Sequence, residues 1–135
     1  AKKVKEIKIF FMNLNQVTIY SSRPAESLEF YQKLGLCLIV DSAPRYVRLT
    51  CPDGNSTLSI HETTDESINT KIVLYFECEN LDEEVERLKN LGLTLDQEPI
   101  DQIWLWREAF LKDPDGNKII LFYAGENRLN PPWRI

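Results

Sequence analysis

The sequence predicts an α+β fold in which one unit, a strand, a helix and then three strands, is used twice in tandem. The tetrapeptide Pro-Asp-Gly-Asn occurs at Pro52 to Asn55 and again at Pro114 to Asn117, so Pro52 and Pro114 stand 62 positions apart. Each copy lies between strand-like runs, RYVRLTC and STLSIH in the first, WREAFLK and KIILFY in the second. Asp-Gly between such runs signals a hairpin, because glycine takes positive φ without steric cost and aspartate tolerates it. Upstream, Leu34-Gly35-Leu36 and Leu91-Gly92-Leu93 mark two helix ends 57 positions apart. A period this long in only two copies describes a duplicated domain, not a solenoid, which needs three or more repeats.

The elements follow in order. Residues 4–12, with Val4, Ile7, Ile9 and Phe11, alternate loosely and suggest an extra edge strand suited to pairing with a second subunit. Asn15 to Ser21 sets Gln16, Thr18 and Tyr20 on one face against Val17 and Ile19 on the other, a half-buried strand. Ser22-Arg23-Pro24 starts a helix, with serine as the expected cap. That helix, Ala25 to Leu34, stacks Leu28, Tyr31 and Leu34 and stops at Gly35. Strands are expected at Leu36 to Asp41, Arg45 to Cys51 and Ser56 to His61. The polar stretch Glu62 to Thr70 reads as a linker. Lys71 to Glu79 is the next strand, and Asn80 with Glu83 three residues on has the form of a capping box. The stripe Leu81, Val85, Leu88, Leu91 then ends at Gly92, and strands follow at Thr94 to Gln97, Leu105 to Lys112 and Lys118 to Tyr123. The offset grows from 57 to 62 between helix end and hairpin, which puts about five extra residues near Asp96 to Trp104. The expectation is a single domain over 1–135: module one about 13–62, linker 63–70, module two about 71–124, C-terminal tail 125–135 with Trp133 pinning it to the body or to a partner subunit.

Composition excludes several function classes. With 135 residues, 43% hydrophobic and 27% charged, the chain has the make-up of one globular domain. A net charge of −5 argues against nucleic acid, whose phosphates call for clustered Lys and Arg. The one basic cluster, Lys2, Lys3, Lys5 and Lys8, reads as a solvated terminus. No run approaches the roughly 20 apolar residues that span a bilayer, and Ile9 to Met12 is too short for a signal-peptide core. Cys37, Cys51 and Cys78 are odd in number, show no CxxC spacing and sit in strand-like runs, which points to reduced thiols and a cytoplasmic protein.

Three motifs carry a resemblance: Ser27-Leu28-Glu29-Phe30-Tyr31 with Leu34-Gly35, Phe76-Glu77-Cys78-Glu79-Asn80-Leu81-Asp82 at the start of the second helix, and Asp113 to Leu121. In this order, on a duplicated strand-helix-strand-strand-strand pattern over about residues 14–124, the chain resembles the vicinal oxygen chelate superfamily. That superfamily includes glyoxalase I, extradiol dioxygenases, fosfomycin-modifying enzymes and bleomycin-binding proteins. The fold implied is two βαβββ modules whose curled mixed sheets form a cup that holds the ligand, with the helices outside.

In metal-dependent members the first and last strand of each module supply the ligands. The resemblance places these positions at Gln16, Val73, Leu58 and Ile120, with Leu58 matched to Ile120 through the hairpin offset. Glutamine can offer an oxygen, but three of the four are hydrocarbon, whereas a zinc, nickel or iron site needs several N, O or S donors. The expectation is no metal and no cofactor. His61, the only histidine, falls by alternation on the face opposite Leu58, a structural or exposed position unless a bulge turns it inward.

With Gln16 and Val73 facing the cup, alternation adds Thr18, Tyr20, Tyr75 and Glu77; Ile120 brings Phe122, and Leu58 brings Ile60. Matching through the turns adds Tyr46, Arg48, Glu108 and Phe110. Arg48 and Glu108 are read either as an ion pair at the rim or as groups that hold a charged ligand. Trp104 and Trp106 are read either as stacking on a planar ligand at the mouth or as core or dimer contacts.

Two functions fit this lining. One is a metal-free protein that binds a small aromatic or amphipathic compound, as the bleomycin-binding branch does, as a homodimer. The alternative is a glyoxalase-like lyase or isomerase using Gln16, His61 and a carboxylate (Glu62, Glu77 or Glu108), with or without a divalent metal; Glu77, Glu108 and His61 are its catalytic candidates.

Overall fold

The computed structural model describes residues 14–65 and 72–135. The expected strand at 4–12, the basic cluster at Lys2 to Lys8 and most of the linker lie outside those residues. The chain runs β1 (Gln16–Ser21), α1 (Pro24–Lys33), β2 (Cys37–Ser42), β3 (Tyr46–Thr50), β4 (Thr57–Glu62), then β5 (Val73–Glu77), α2 (Leu81–Asn90), β6 (Gln97–Asp101), β7 (Arg107–Lys112) and β8 (Lys118–Tyr123), and closes with a 3-10 turn at Gly125–Asn127. Each module forms a four-stranded mixed sheet, in the orders β1-β4-β3-β2 and β5-β8-β7-β6. Only β1–β4 and β5–β8 are parallel, since each helix crosses over between those strands. The expected α+β architecture of two tandem modules with curled, open sheets is the one observed.

Both helices stop where a glycine takes positive φ, Gly35 at 108° and Gly92 at 89°. In α1 the buried stripe is Ser27, Phe30 and Tyr31, one residue around from the expected Leu28-Tyr31-Leu34 face, and Leu28 and Leu34 pack at its flank. Arg23, not Ser22, flanks the helix start, and no side chain caps it; instead the Arg23 N–H donates to Ser21 Oγ at 3.0 Å. In α2 the stripe is Leu81, Val85 and Leu88, as expected, whereas Leu91 is exposed. Asn80 does precede α2, but the capping box does not form; Asp82, Glu83 and Glu84 place negative charge at the positive end of the helix instead.

The two PDGN hairpins differ by one residue. In module two the turn closes with the Asp113 N–H donating to Asn117 O, and in module one with the Cys51 N–H donating to Ser56 O. The extra residue, Ser56, shifts β4 against its turn, so the strand equivalent of Ile120 is Ser59, 61 positions away, and not Leu58. Because side chains alternate with period two, that single step exchanges the two faces of β4.

Apolar residues on one face of both sheets merge with those of both helices into a single core, including Ile19, Tyr31, Leu49, Leu58, Ile60, Val85, Leu88, Leu111, Ile119 and Leu121. The second turn clasps the modules together. Tyr31 on α1 donates its hydroxyl to Asp113 Oδ2 at 2.6 Å, and Ser27 donates to Asp115 Oδ2 at 2.6 Å. The Ser22 N–H reaches Asp115 Oδ1 at 3.2 Å. Inside the turn, Asp113 also accepts from the N–H groups of Asp115 and Asn117 and from Asn117 Nδ2. From the other side Arg87 of α2 donates to the Lys33 and Leu34 carbonyls at the end of α1. Tyr31 is fully buried, and burial first, then the Asp113 charge, pushes its hydroxyl pKa far above the ordinary phenol value.

Candidate functional site

With one face of each sheet committed to the core, the other face stays open, and the open faces hold nearly all the residues expected to meet a ligand. On module one, β1 contributes Gln16, Thr18 and Tyr20, which pair in register with Thr57, Ser59 and His61 of β4. From β3 come Tyr46, opposite His61, and Arg48, opposite Ser59. His61 therefore faces the open side, while Leu58 and Ile60 pack into the shared core at 4% and 0% exposure. Their expected place on the open face is overturned by the longer turn, and Thr57 and Ser59 take it. The alternation in Thr57-Leu58-Ser59-Ile60-His61 was the signal: the apolar positions face the core, as in any half-buried strand.

On module two, β5 contributes Val73, Tyr75 and Glu77, in register with Lys118, Ile120 and Phe122 of β8. From β7 come Glu108, opposite Phe122, and Phe110, opposite Ile120. These expected positions all share the open face. Ile120, Phe122 and Ala124 form a second hydrophobic cluster with Trp106 and Phe110 against it, separate from the shared core.

The two open faces differ in chemistry. Module two carries an aromatic assembly: Trp106 stacks on Phe122 with centroids 4.6 Å apart, and Tyr75 meets both rings edge-on at 6.1 and 5.6 Å. Tyr75 remains 52% exposed, so its ring is the accessible part. Lys118, which sequence reasoning missed, lies 4.2 Å over the Phe110 ring. Trp106 donates its indole N–H to Asn127 O and Trp104 donates to Glu108 Oε2 at 3.1 Å, so both tryptophans are tied to the body while Trp104 stays exposed.

Module one carries polar groups. Arg48 Nε donates to the Tyr46 hydroxyl at 2.9 Å, and that hydroxyl lies 2.7 Å from Ser59 Oγ. The Ser59 bond, and after it Arg48, lower the Tyr46 pKa below the ordinary phenol value. His61 sits 5.4 Å from the Tyr20 ring and 6.3 Å from that of Tyr46. Its Nδ1 is 3.0 Å from Glu62 O, which can only accept, so Nδ1 is the donor in this bond. The expected Arg48–Glu108 pair does not form: Arg48 bonds to Tyr46 on one sheet, Glu108 to Trp104 on the other, and no ion pair includes either among the described residues.

The catalytic candidates are constrained in the same way. Glu77 Oε2 accepts the N–H groups of Ala124 and Gly125 at 2.9 and 3.0 Å, and its Oε1 faces Arg128, so this carboxylate anchors the C-terminal turn. Glu108 is 3% exposed under Trp104. Glu62, paired with Ser21, points away from the open face. The donor set does not suit a metal. Gln16 Oε1 accepts the Thr57 hydroxyl at 3.0 Å, Val73, Ile120 and Phe122 offer hydrocarbon, and among the described residues no three His, Cys, Asp or Glu side chains gather around one point. Among these residues the three thiols are free; burial raises the pKa of Cys51 and pushes that of Cys78 up to about 11, as expected of packed groups. No helix among the described residues is long and apolar enough to cross a membrane.

Comparison with known proteins agrees with this architecture. No curated protein matches the sequence. Among solved structures, a glyoxalase/bleomycin resistance protein/dioxygenase from Nocardioides superposes with a TM-score of 0.75 at 19% identity, over 96% of this chain and 93% of that one. A lactoylglutathione lyase from Agrobacterium tumefaciens superposes at 0.68 with 15% identity, over 83% and 93%. TioX from Micromonospora sp. ML1 gives 0.69 with 15% identity, over 84% and 99%. These likenesses show the fold. The family model of the Glyoxalase/Bleomycin resistance protein/Dioxygenase superfamily matches residues 13–121, and the chain belongs to that superfamily.

Proposed function

We propose that this protein binds a small aromatic or amphipathic compound between open sheet faces, without a resident metal, as a cytoplasmic homodimer. The observation that carries the reading is the Tyr75–Trp106–Phe122 assembly, whose Tyr75 edge is open where a planar ligand can stack. The hydrocarbon at Val73 and Ile120 supports it, because those positions offer a ligand apolar contact and a metal nothing. Homodimerisation is supported by the open faces themselves. Tyr20, Val73 and Tyr75 are each more than two-fifths exposed, and among the described residues no hydrogen bond, ion pair or ring contact joins one open face to the other. A second copy laid against them would cover that apolar surface. Free thiols are in keeping with a reducing compartment. The enzyme alternative has less behind it, since Glu77 is bound up in a backbone turn and Glu108 lies under Trp104.

The test is a thermal-shift screen with planar aromatic compounds, followed by fluorescence titration through Trp104 and Trp106. A compound held at a hundred times its Kd stabilises the native state by about 2.7 kcal/mol, which raises Tm by several degrees. Absence of any aromatic binder, or a stoichiometric divalent ion whose removal by chelator lowers Tm, overturns the reading. Sedimentation at twice the 15.8 kDa chain mass tests the dimer.

A further inference from the structure

Among the described residues the open face of module one contains no carboxylate. The register of β1, β2, β3 and β4 places no Asp or Glu on it, although the chain carries 21 acidic residues against 16 Lys and Arg. Arg48 lies in the middle of this face, half-buried, between Val40 of β2 and Ser59 of β4. Arg23, Arg87, Arg107 and Arg128 each sit on an Asp or Glu; among the described residues Arg45, Arg48 and Arg134 have no ion pair, and of these three only Arg48 is half-buried. Its Nε donates to a neutral phenol, that of Tyr46.

This arrangement is directional. The bond from Arg48 Nε to the Tyr46 oxygen, which itself lies 2.7 Å from Ser59 Oγ, fixes the plane of the guanidinium. Nε is thereby used, and the end-on fork of Nη1 and Nη2 is what remains. Two parallel N–H donors in one plane match the two oxygens of a carboxylate, a geometry that no lysine reproduces. A half-buried cation without an anion carries a desolvation cost that a bound anion removes.

We propose that Arg48, oriented by its bond to Tyr46, is a carboxylate-binding subsite, so that the ligand is an aromatic carboxylic acid. The inference rests on the binding reading above and names its ligand class.

The test compares 2-naphthoate with its neutral amide, 2-naphthamide, by calorimetric titration of the full chain at low ionic strength. The acid binds about ten- to a hundredfold more tightly than the amide, the range for hydrogen bonds to a charged group. Arg48→Gln abolishes that preference, bringing the affinity for naphthoate down to that for naphthamide, and Arg48→Lys keeps only part of it. Equal binding of acid and amide by the unmodified protein overturns the subsite and leaves the aromatic-binding reading standing. So does a preference that survives in Arg48→Gln. Binding of neither compound overturns both. The acid–amide comparison needs no variant, so it decides the matter even where Arg48→Gln fails to fold.

Discussion

Removing the hydroxyl of Tyr31 isolates the clasp between the modules. Tyr31→Phe keeps the ring against Phe30 and in the shared core and deletes one bond, to Asp113 Oδ2 at 2.6 Å. Asp113 keeps Asn117 Nδ2 on the same oxygen and two backbone N–H groups on the other, so the carboxylate is weakened in its support without being stranded. A hydrogen bond to a charged group contributes about 1.5–3 kcal/mol, which puts the cost near 2 kcal/mol at neutral pH. With a urea m-value of roughly 1–3 kcal/mol per molar, the midpoint falls by on the order of 1 M.

The pH dependence gives a second, independent reading. Burial and the Asp113 charge raise the folded-state pKa of Tyr31 well above the ordinary value of 10.0. Above pH 10 the unfolded chain therefore releases the phenolic proton while the folded chain keeps it, and stability falls by about 1.4 kcal/mol per pH unit. The phenylalanine variant lacks this contribution, and alkaline effects from Cys78 and the other groups are common to both proteins. The difference between the two urea curves, large at pH 7, shrinks above pH 10 and closes roughly one and a half units higher. A variant within about 0.5 kcal/mol of the parent at pH 7, or a difference that stays constant to pH 11, shows that the hydroxyl is not buried against a carboxylate and refutes the clasp.

Two further predictions probe the site. Leu58→Ala opens a cavity in the shared core and costs about 2–5 kcal/mol, whereas His61→Ala on the open face stays within about 0.5 kcal/mol; comparable costs in urea denaturation would place β4 in the opposite register. Ile120→Glu supplies one carboxylate opposite Tyr75, with Val73 and Phe122 beside it on the same face, so added zinc or nickel leaves its Tm where it stands without metal, and stoichiometric metal in that variant by elemental analysis would show that donors converge where none are seen.

What the sequence disclosed and what it hid follow the range of the interactions involved. β8 falls at the expected Lys118 to Tyr123 and α2 buries three of its four expected residues, because period and turn chemistry are local. The strand expected at Thr94 to Gln97 lies instead at Gln97–Asp101, where Pro99 interrupts the strand pattern and the pairing with β7 slips between Gln97 and Ile100. Leu58 was misplaced by matching the modules through the hairpin offset, which the extra turn residue Ser56 breaks, although the alternation within β4 itself pointed to the core. The roles of Asp113 and Asp115 were beyond reach, since their partners on α1 lie 82 and 88 positions away.

The duplication supplies its own control on where function resides. Aligned by register, the core-facing positions of the two modules stay apolar on both sides: Val17 with Leu74, Ile19 with Phe76, Leu58 with Ile119, Ile60 with Leu121, Leu49 with Leu111. Their open-facing neighbours change character at nearly every step. Gln16 stands against Val73, Ser59 against Ile120, His61 against Phe122 and Arg48 against Phe110. Packing alone constrains both faces of a strand only where both are packed, and the open face of module one is not. One backbone used twice has thus produced a hydrogen-bonding wall and an aromatic wall. On the binding reading proposed above, a ligand apolar at one end and anionic at the other would match both surfaces, whereas a symmetric hydrocarbon would leave the Arg48 wall without a partner.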